Sequence, residues 1–282
     1  MYSALGMKRI LTAVVLIPLV FAVIYVSQRW PIVLIGVLFL VAGLALWEYL
    51  GLANAIGART PRAVVIVFLG LLLGAVFRVP ELMAPVSGAL ALALLVICTF
   101  RSPLERVLPD TAYSVFGLLY IGLSMSTIYL LSAMDNGPSL LVFLLLVVWA
   151  GDIAALYVGR SFGRWMLAPR LSPNKTWEGS IASVIASIVI AVALTMLGEM
   201  LTARSLDYLS YPGSRWHWIG LAVLLNIAGQ VGDLAESAIK RAAGAKDSGR
   251  ILPGHGGFLD RIDALLLAAP VLWYAQLIQQ SF

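Results

Sequence analysis

Apolar runs about as long as a bilayer is thick recur along nearly the whole chain of 282 residues. Hydrophobic residues make up 61% of the chain and charged residues only 12%, about half the charged fraction of a typical soluble domain. A helix that crosses the hydrocarbon core needs about 20 apolar residues. Packing in a soluble core does not explain so many runs of that length, so the pattern predicts an all-α polytopic membrane protein.

Nine candidate transmembrane spans can be placed on these runs. They cover residues 10–27, 31–53, 63–77, 83–100, 113–132, 139–159, 179–200, 216–239 and 262–278. Lys8 and Arg9 precede the first run as in a signal peptide, but no small-residue cleavage pattern follows, which favours a retained helix. We divide the chain into residues 1–110, with about four spans, and residues 111–282, with about five spans and most of the unusual polar residues.

The basic residues are distributed unevenly over the predicted loops. With the N-terminus in the cytoplasm, Arg29, Arg78, Arg204 and Arg215 lie outside, and the other fifteen of the 19 lysines and arginines lie inside. Because positive residues favour the cytoplasmic side, we predict a cytoplasmic N-terminus and, with nine spans, an external C-terminus. The loops at 160–178 and 240–262 then share the cytoplasmic face. This topology accounts for the net charge of +5, and no nucleic-acid partner is expected.

Cysteine and histidine are too scarce to build a metal site. The chain has one cysteine, Cys98, and two histidines, His217 and His255. A disulfide within one chain and a cysteine-based zinc site are therefore excluded. A bound metal would have mostly carboxylate ligands, which favours Mg²⁺ or Mn²⁺.

Two clusters of polar residues flank the sixth and seventh spans. Asp152 lies about two turns inside the cytoplasmic end of the sixth span, where a carboxylate is costly and indicates function; the alternative is a structural pair with an arginine. The stretch "NKTWEGS" leads into the seventh span, so that Lys175 and the first helical amides would attract an anion such as phosphate. Glu178 can alternatively be an ordinary acidic residue of a first helical turn.

A third cluster occupies the end of the eighth span. Asp233, Glu236, Ser237 and Lys240 are spaced so that they share one helical face. A snorkelling helix end explains Lys240 well, but it explains the deeper Asp233 poorly.

Two further aspartates, Asp260 and Asp263, open the ninth span. Capping is the ordinary role of an isolated acidic pair at that position. On the predicted topology, however, they share a membrane level with Asp152 and Asp233. Four carboxylates there would repel one another unless a cation lies among them.

The residues around these carboxylates complete a pattern typical of phosphoryl or nucleotidyl transfer. Glycines 254, 256 and 257 permit close backbone approach to a ligand, and several basic side chains supply positive charge for phosphates. The chain contains no GxxxxGK[ST], HExxH or GxSxG motif. A Walker-type ATPase, a zinc protease and a serine hydrolase therefore lose support.

The segment "SAIKRAAGAKDSGRILPGHGGFLDRID", residues 237–263, resembles the complete signature of the phosphatidate cytidylyltransferase family, also called CDP-diacylglycerol synthases. We refer to it below as the signature segment. "SPNKTWEG" and "GDLAES" are also similar to motifs of that family. The resemblance is specific over residues 152–263, whereas the first five spans match only in being hydrophobic.

The resemblance implies a reaction in which CTP and phosphatidic acid give CDP-diacylglycerol and pyrophosphate. It also implies about nine helices in the bilayer of a bacterial-type inner membrane, an active site at the cytoplasmic face among the C-terminal helices, and a homodimer. Mg²⁺ is the expected cofactor, with Mn²⁺ as a substitute and a monovalent cation as an additional candidate.

On this basis the candidate site residues fall into three groups. The metal-ligand candidates are Asp152, Asp233, Asp260 and Asp263. The catalytic candidates are Asp233, Lys240, Arg241, Lys246, His255 and Arg261; the substrate-binding candidates are Asn174, Lys175, Glu178, Ser237, Gly256 and Gly257. For His255 we favour ordering of the loop over protonation of the leaving pyrophosphate, because metal-bound pyrophosphate leaves without a proton.

Two kinds of alternative remain at this point. One is another CTP-dependent membrane enzyme, either a cytidylyltransferase for a different lipid or a polyprenol kinase, and the intact signature disfavours the kinase. The other is a cation-coupled transporter, which also places carboxylates in its spans. Transporter sites lie near the midplane of the bilayer, whereas these carboxylates are predicted towards one face.

Overall fold

The computed structural model describes residues 17–206, 209–249, 251 and 256–280. Within those residues the chain forms nine α-helices, joined by short connections. They are α1 Ile17–Arg29, α2 Pro31–Ala55, α3 Arg62–Arg78, α4 Met83–Arg101, α5 Val107–Ser132, α6 Gly137–Phe162, α7 Trp177–Thr202, α8 Arg215–Ala242 and α9 Leu259–Gln280. Short 3₁₀ turns at Pro80–Leu82 and Leu104–Arg106 precede α4 and α5. The predicted all-α class is confirmed.

Seven stretches of the described chain are long and apolar enough to cross a membrane, which confirms a polytopic membrane protein. The helix α3 has 17 residues and a length of about 25 Å at 1.5 Å per residue, short of the ~30 Å hydrocarbon core. The first predicted span begins at residue 10, outside the described residues. The count of nine spans therefore stays a prediction.

The chain divides into two compact units. The first contains the described residues up to Tyr129 together with Ile239–Ile262, and so holds α1 to α4, most of α5 and most of the signature segment. Its core is built from leucines that α2, α3 and α5 bury almost completely, such as Leu46, Leu72 and Leu118. The boundary predicted at residue 110 separates N-terminal helices from a C-terminal catalytic region. It stays a prediction.

The second unit contains Leu130–Ala238 and the described residues from Asp263 onwards. The rings of Phe143, Tyr211 and Trp218 pack with centroids 5.0–5.9 Å apart, and the Trp218 indole N–H donates to the Pro212 carbonyl at 3.0 Å. Along α7, Ile181, Ile185 and Val189 form an exposed stripe at helical spacing. In a membrane helix such a stripe faces lipid rather than water.

A two-stranded hairpin connects α6 to α7. The strand β1 Met166–Ala168 pairs antiparallel with β2 Ser172–Thr176, and β2 runs directly into α7. Thr176 ends the strand in an extended conformation, and its hydroxyl oxygen accepts the Gly179 N–H at 3.2 Å. This N-cap fixes the point at which "NKTWEGS" changes from strand to helix.

Candidate active site

The hairpin presents Asn174 and Lys175 on β2, immediately before the start of α7. Asn174 is exposed and Lys175 is partly buried. The Glu178 carboxylate, in the first turn of α7, accepts the backbone N–H of Trp165 at 3.3 Å. Glu178 therefore fastens the hairpin to α7, and its predicted contact with substrate stays a prediction.

Lys175 and Asp233 meet within the second unit. The Lys175 ammonium lies 2.5 Å from the Asp233 carboxylate, and the side chains are 24% and 35% exposed. Asp152 interacts electrostatically with both of them. Lys175 forms its ion pair with Asp233, so a second carboxylate nearby, that of Asp152, favours a further cation.

Close helix packing positions Asp152. A Cβ atom on Gly179 would lie 2.9 Å from the Ala155 carbonyl oxygen and 3.3 Å from the Gly159 Cα. Only a small residue permits this approach of α6 and α7. Asp152 lies two turns before Gly159 on α6, and its depth in the membrane stays a prediction.

A buried polar network lies beside Asp233 on α8. The Asn226 amide donates to the hydroxyls of Ser183 and Ser187, each at 2.8 Å, and its oxygen accepts the Gln230 amide at 2.6 Å. Gln230 in turn accepts the Ser180 hydroxyl at 2.5 Å. Asn226, Gln230 and Asp233 follow at intervals of four and three, so the network continues the face that carries Asp233. Sequence reasoning missed it, although that spacing within an apolar run was the available signal.

Asp263 approaches the same part of α8. A Cβ atom on Gly232 would lie 2.6 Å from the Asp263 carbonyl oxygen, so the backbones of α8 and α9 are in contact one residue before Asp233. The Asp263 carboxylate accepts the Ala264 N–H at 2.8 Å. Ser237, one turn after Asp233, is buried. The second unit therefore brings the backbone of Asp263 against α8 next to Asp233, and a metal shared by their carboxylates stays a prediction.

Asp260 organises the signature segment in the first unit. One carboxylate oxygen lies 2.5 Å from the Lys240 ammonium. The other accepts the backbone N–H groups of Ser248 and Gly257, at 2.9 and 2.8 Å, and the Ser248 hydroxyl at 2.8 Å. Gly256 has φ 78°, which favours glycine. Asp260 thus holds together two parts of the segment that are about ten residues apart.

Several basic candidates of the signature segment remain accessible. Arg241, Lys246 and Arg261 are exposed, and the Arg241 guanidinium donates to the Ala245 carbonyl at 3.2 Å. Exposed cations suit the capture of a phosphate from solution. His255 lies outside the described residues, so its role stays a prediction.

Glu48 of α2 is the site residue that sequence reasoning missed most completely. Its carboxylate is 4% exposed and accepts the Ser248 hydroxyl at 3.1 Å and the Leu259 N–H at 2.9 Å. Its partners lie 200 or more residues along the chain. The available signal was a single charge in the otherwise uncharged apolar run 31–55.

The carboxylates fit a hard divalent cation in their chemistry. Mg²⁺ is commonly held by one or two protein carboxylates, with water and substrate phosphates as its other ligands, and Asp152 and Asp233 offer such a pair. No group of three or more His, Cys, Asp or Glu residues poised around a metal occurs in the part of the chain that the structure describes. Asp260 belongs to the first unit and the other three aspartates to the second, so the four-ligand set stays a prediction.

A comparison with known protein families agrees with the signature. Residues 7–278 match the model of the cytidylyltransferase family. The chain belongs to the cytidylyltransferase family. This confirms the family resemblance of residues 237–263.

Curated relatives carry a more specific name. A protein of Brucella suis named phosphatidate cytidylyltransferase is 48% identical over 158 residues, which cover 56% of this chain and 54% of the relative. A protein of Staphylococcus saprophyticus with the same name is 36% identical over 163 residues, 58% of each chain. The chain thus spans a little over half the length of the curated relatives it matches.

Proposed function

We propose that this protein transfers the cytidylyl group of CTP to phosphatidic acid, forming CDP-diacylglycerol and pyrophosphate in phospholipid biosynthesis. Family membership and the names of the relatives favour this reaction. They favour nucleotidyl transfer over the kinase and transporter alternatives. The observation that carries the proposal is the signature segment, whose charged residues lie where two apolar helices begin and end.

The placement of charge suits a reaction between a lipid and a soluble nucleotide. Lys240 is one of the last residues of α8 and Asp260 the second residue of α9. Both helices are apolar enough to span a membrane. Substrates of the two kinds meet at the edge of a bilayer, where the lipid phosphate and CTP are both accessible.

The nucleophile is an oxygen of the phosphatidic acid phosphate, which is already anionic near neutral pH. It attacks the α-phosphorus of CTP, the bond from that phosphorus to the bridging oxygen breaks, and pyrophosphate leaves with the electron pair. No strong general base is required. The protein must bring two polyanions together and align them, which is the work of positioned cations.

Lysines and arginines are proposed to hold the phosphates. Lys175 and Lys240 are partly buried and each is paired with an aspartate, so their positions are fixed before substrate binds. Arg241, Lys246 and Arg261 are exposed and are proposed to receive the CTP triphosphate. Asn174 and Ser237, with the backbone at Gly256 and Gly257, are proposed as further substrate contacts.

Magnesium dependence is part of the proposal. Asp152 and Asp233 are the proposed ligands on the chemistry of their oxygen donors, with Asp260 and Asp263 as further candidates. When bound, the ion would neutralise part of the negative charge of the phosphates. Asp233 and Lys175 hold each other in position through their ion pair.

We propose that the protein lies in the inner membrane of a bacterial-type cell as a homodimer, with the N-terminus and the active site in the cytoplasm. The uneven distribution of basic residues supports the orientation, and the family resemblance supports the dimer. Light scattering of the detergent-solubilised protein, corrected for bound detergent, measures the dimer directly.

The decisive experiment is an assay of the purified protein with radiolabelled CTP and phosphatidic acid in mixed micelles. We expect a labelled lipid that co-migrates with CDP-diacylglycerol and depends on added Mg²⁺. A polyprenol and its phosphate, offered in place of phosphatidic acid with CTP labelled in the α-phosphate and, separately, in the γ-phosphate that a kinase transfers, should give no labelled lipid. Folded protein that gives no product from phosphatidic acid at any Mg²⁺ concentration would sink the proposal.

A further inference from the structure

The carboxylate of Glu48 is buried in a helix that otherwise carries no charge. α2 runs from Pro31 to Ala55 and Glu48 is its only acidic or basic residue. The side chain is 4% exposed. Burial of a carboxylate in an apolar setting is costly unless its oxygens receive hydrogen bonds, and a charge within a membrane helix indicates function.

The hydrogen bonds that Glu48 accepts come from both ends of one stretch of the signature segment. The same oxygen, Oε2, accepts the Ser248 hydroxyl at 3.1 Å and the Leu259 N–H at 2.9 Å. Leu259 is the first residue of α9, and its N–H is one of the donors that a helix leaves without an internal partner. Glu48 thus caps α9 from another helix and joins its start to Ser248.

Two glycines leave the space that the Glu48 carboxyl group occupies. A Cβ atom on Gly249 or on Gly257 would collide with atoms of the Glu48 carboxyl group. Gly257 is the second glycine of the "HGG" motif. Part of the glycine content of the signature is therefore explained by the approach of a side chain from α2, independently of any ligand.

Ser248 connects Glu48 to Asp260. The Ser248 hydroxyl lies 3.1 Å from Glu48 Oε2 and 2.8 Å from Asp260 Oδ2. A hydroxyl has one proton, so it donates to one carboxylate at a time. Asp260 also holds Lys240 at 2.5 Å. The Ser248 hydroxyl therefore lies between Glu48 and the carboxylate that pairs with Lys240.

We propose that Glu48 is a positioning residue, which holds the signature segment in its binding conformation through Ser248 and Leu259 and so sets the affinity for CTP. The inference rests on the proposed function for its nucleotide. Glu48 does not touch substrate in this proposal. Its effect on CTP is exerted through Lys240, Asp260 and the segment that they hold.

Asp110 offers a matched control in the same unit. Its carboxylate is fully buried and accepts one backbone N–H, of Arg59 at 2.8 Å, and one serine hydroxyl, of Ser102 at 2.6 Å. The kinds of donor are those that Glu48 receives, but both donors lie outside the signature segment. Loss of either carboxylate should lower the melting temperature, whereas only loss of Glu48 should alter nucleotide binding.

The first test compares kinetic constants of Glu48→Ala, Glu48→Gln and Asp110→Ala. We expect Glu48→Ala to raise the KM for CTP about tenfold, the effect of leaving buried donors without an acceptor, with the KM for phosphatidic acid unchanged. Glu48→Gln keeps one acceptor oxygen and should restore the KM to within about threefold of the parent. Asp110→Ala should leave it unchanged. Equal KM values in Glu48→Ala and the parent, or equal increases in Glu48→Ala and Asp110→Ala, overturn the proposal.

The second test needs no activity, so it separates this inference from the proposed function. Gly249→Ala should lower the melting temperature in the parent, because its methyl group collides with Glu48, but have little effect when combined with Glu48→Ala. Additive effects of the two substitutions overturn the proposal, because residues in contact are coupled. If the parent protein forms no CDP-diacylglycerol but shows this coupling, the proposed function is contradicted and the Glu48 contact is still supported. If Glu48→Ala alone does not fold, Glu48→Gln replaces it in the cycle.

Discussion

Lys240 lies 2.5 Å from Asp260, and the two side chains are only 12% and 10% exposed. An ion pair so little exposed depends on both partners, because removal of one leaves the other charge buried and uncompensated. Asp260 also accepts three hydrogen bonds from Ser248 and Gly257. The carboxylate is therefore structural for the signature segment as well as a candidate for catalysis, and an experiment must separate the two roles.

Asp260→Asn should reduce turnover at least about a hundredfold, because it removes charge next to the proposed phosphate site. The buried Lys240 loses its partner, so the free energy of unfolding should also fall, by about 3–5 kcal/mol. A purely capping role predicts a loss of only about 1 kcal/mol and nearly intact turnover per folded molecule. Turnover and thermal unfolding measured on the same preparation distinguish the two.

The double variant Lys240→Met/Asp260→Asn is the control for that prediction. It removes both charges, so much of the lost stability should return, while turnover stays low. Recovery of turnover together with stability would show that Asp260 acts only through folding.

Asp263→Asn should abolish turnover with little change in stability. Its carboxylate accepts the N–H of the next residue, Ala264, and a neutral amide oxygen can still do so. Turnover should be measured across a Mg²⁺ titration, since a lost ligand raises the concentration required. If Asp263→Asn turns over within threefold of the parent at every concentration, Asp263 is no ligand, and the metal site would rest on Asp152 and Asp233.

The helices were predictable because an apolar run of spanning length has few other folds in a bilayer. The run predicted at 83–100 forms α4, Met83–Arg101, and the run at 139–159 forms α6, Gly137–Phe162. Helix ends were less predictable, since a helix can continue into polar residues past its apolar run, as α8 does to Ala242.

Other features could not be read from the sequence. The hairpin at Met166–Thr176 has strands of three and five residues, too short to show an alternating pattern. Within the candidate site, the roles predicted for the charged residues stay predictions, and the local motifs did not indicate which residues these side chains contact. Lys240 pairs with Asp260 at a separation of 20 residues, whereas Glu48 reaches Ser248 at a separation of 200, and a periodic pattern carries no information at that range.

Lys175→Met should lower kcat/KM at least about tenfold, because the ammonium is a proposed phosphate ligand and the partner of Asp233. The second unit contains a matched control, the ion pair of Arg215 with Glu199 at 2.8 Å, whose side chains are 41% and 64% exposed. Exposed pairs contribute about 0–1 kcal/mol, so Arg215→Met should change kcat/KM less than twofold. Equal losses of kcat/KM in Lys175→Met and Arg215→Met would mean that the net positive charge of the protein, and not the position of Lys175, determines the rate.

Asn226→Leu should destabilise the protein without removing any proposed ligand. The substitution takes partners from Ser183, Ser187 and Gln230, and hydrogen bonds between membrane helices contribute about 0.6–2 kcal/mol. Ser187→Ala should cost less, because it removes only one of the Asn226 contacts and the bond to the Val147 carbonyl. The melting temperature of Asn226→Leu should lie below that of Ser187→Ala. The reverse order contradicts the network.

Cysteine labelling can test the orientation of the chain, with sites chosen from the structure. Asp247 and Ser214 are exposed in the connections that follow and precede α8, and Gln279 is exposed near the end of α9. In a Cys98→Ala background, Asp247→Cys should react from the cytoplasmic side, and Ser214→Cys and Gln279→Cys from the outside. The reason is the excess of basic residues in the loops at 160–178 and 240–262. An impermeant maleimide labels external cysteines in intact cells and cytoplasmic cysteines in inverted vesicles. Labelling of Asp247→Cys and Ser214→Cys from the same side contradicts a membrane-spanning α8.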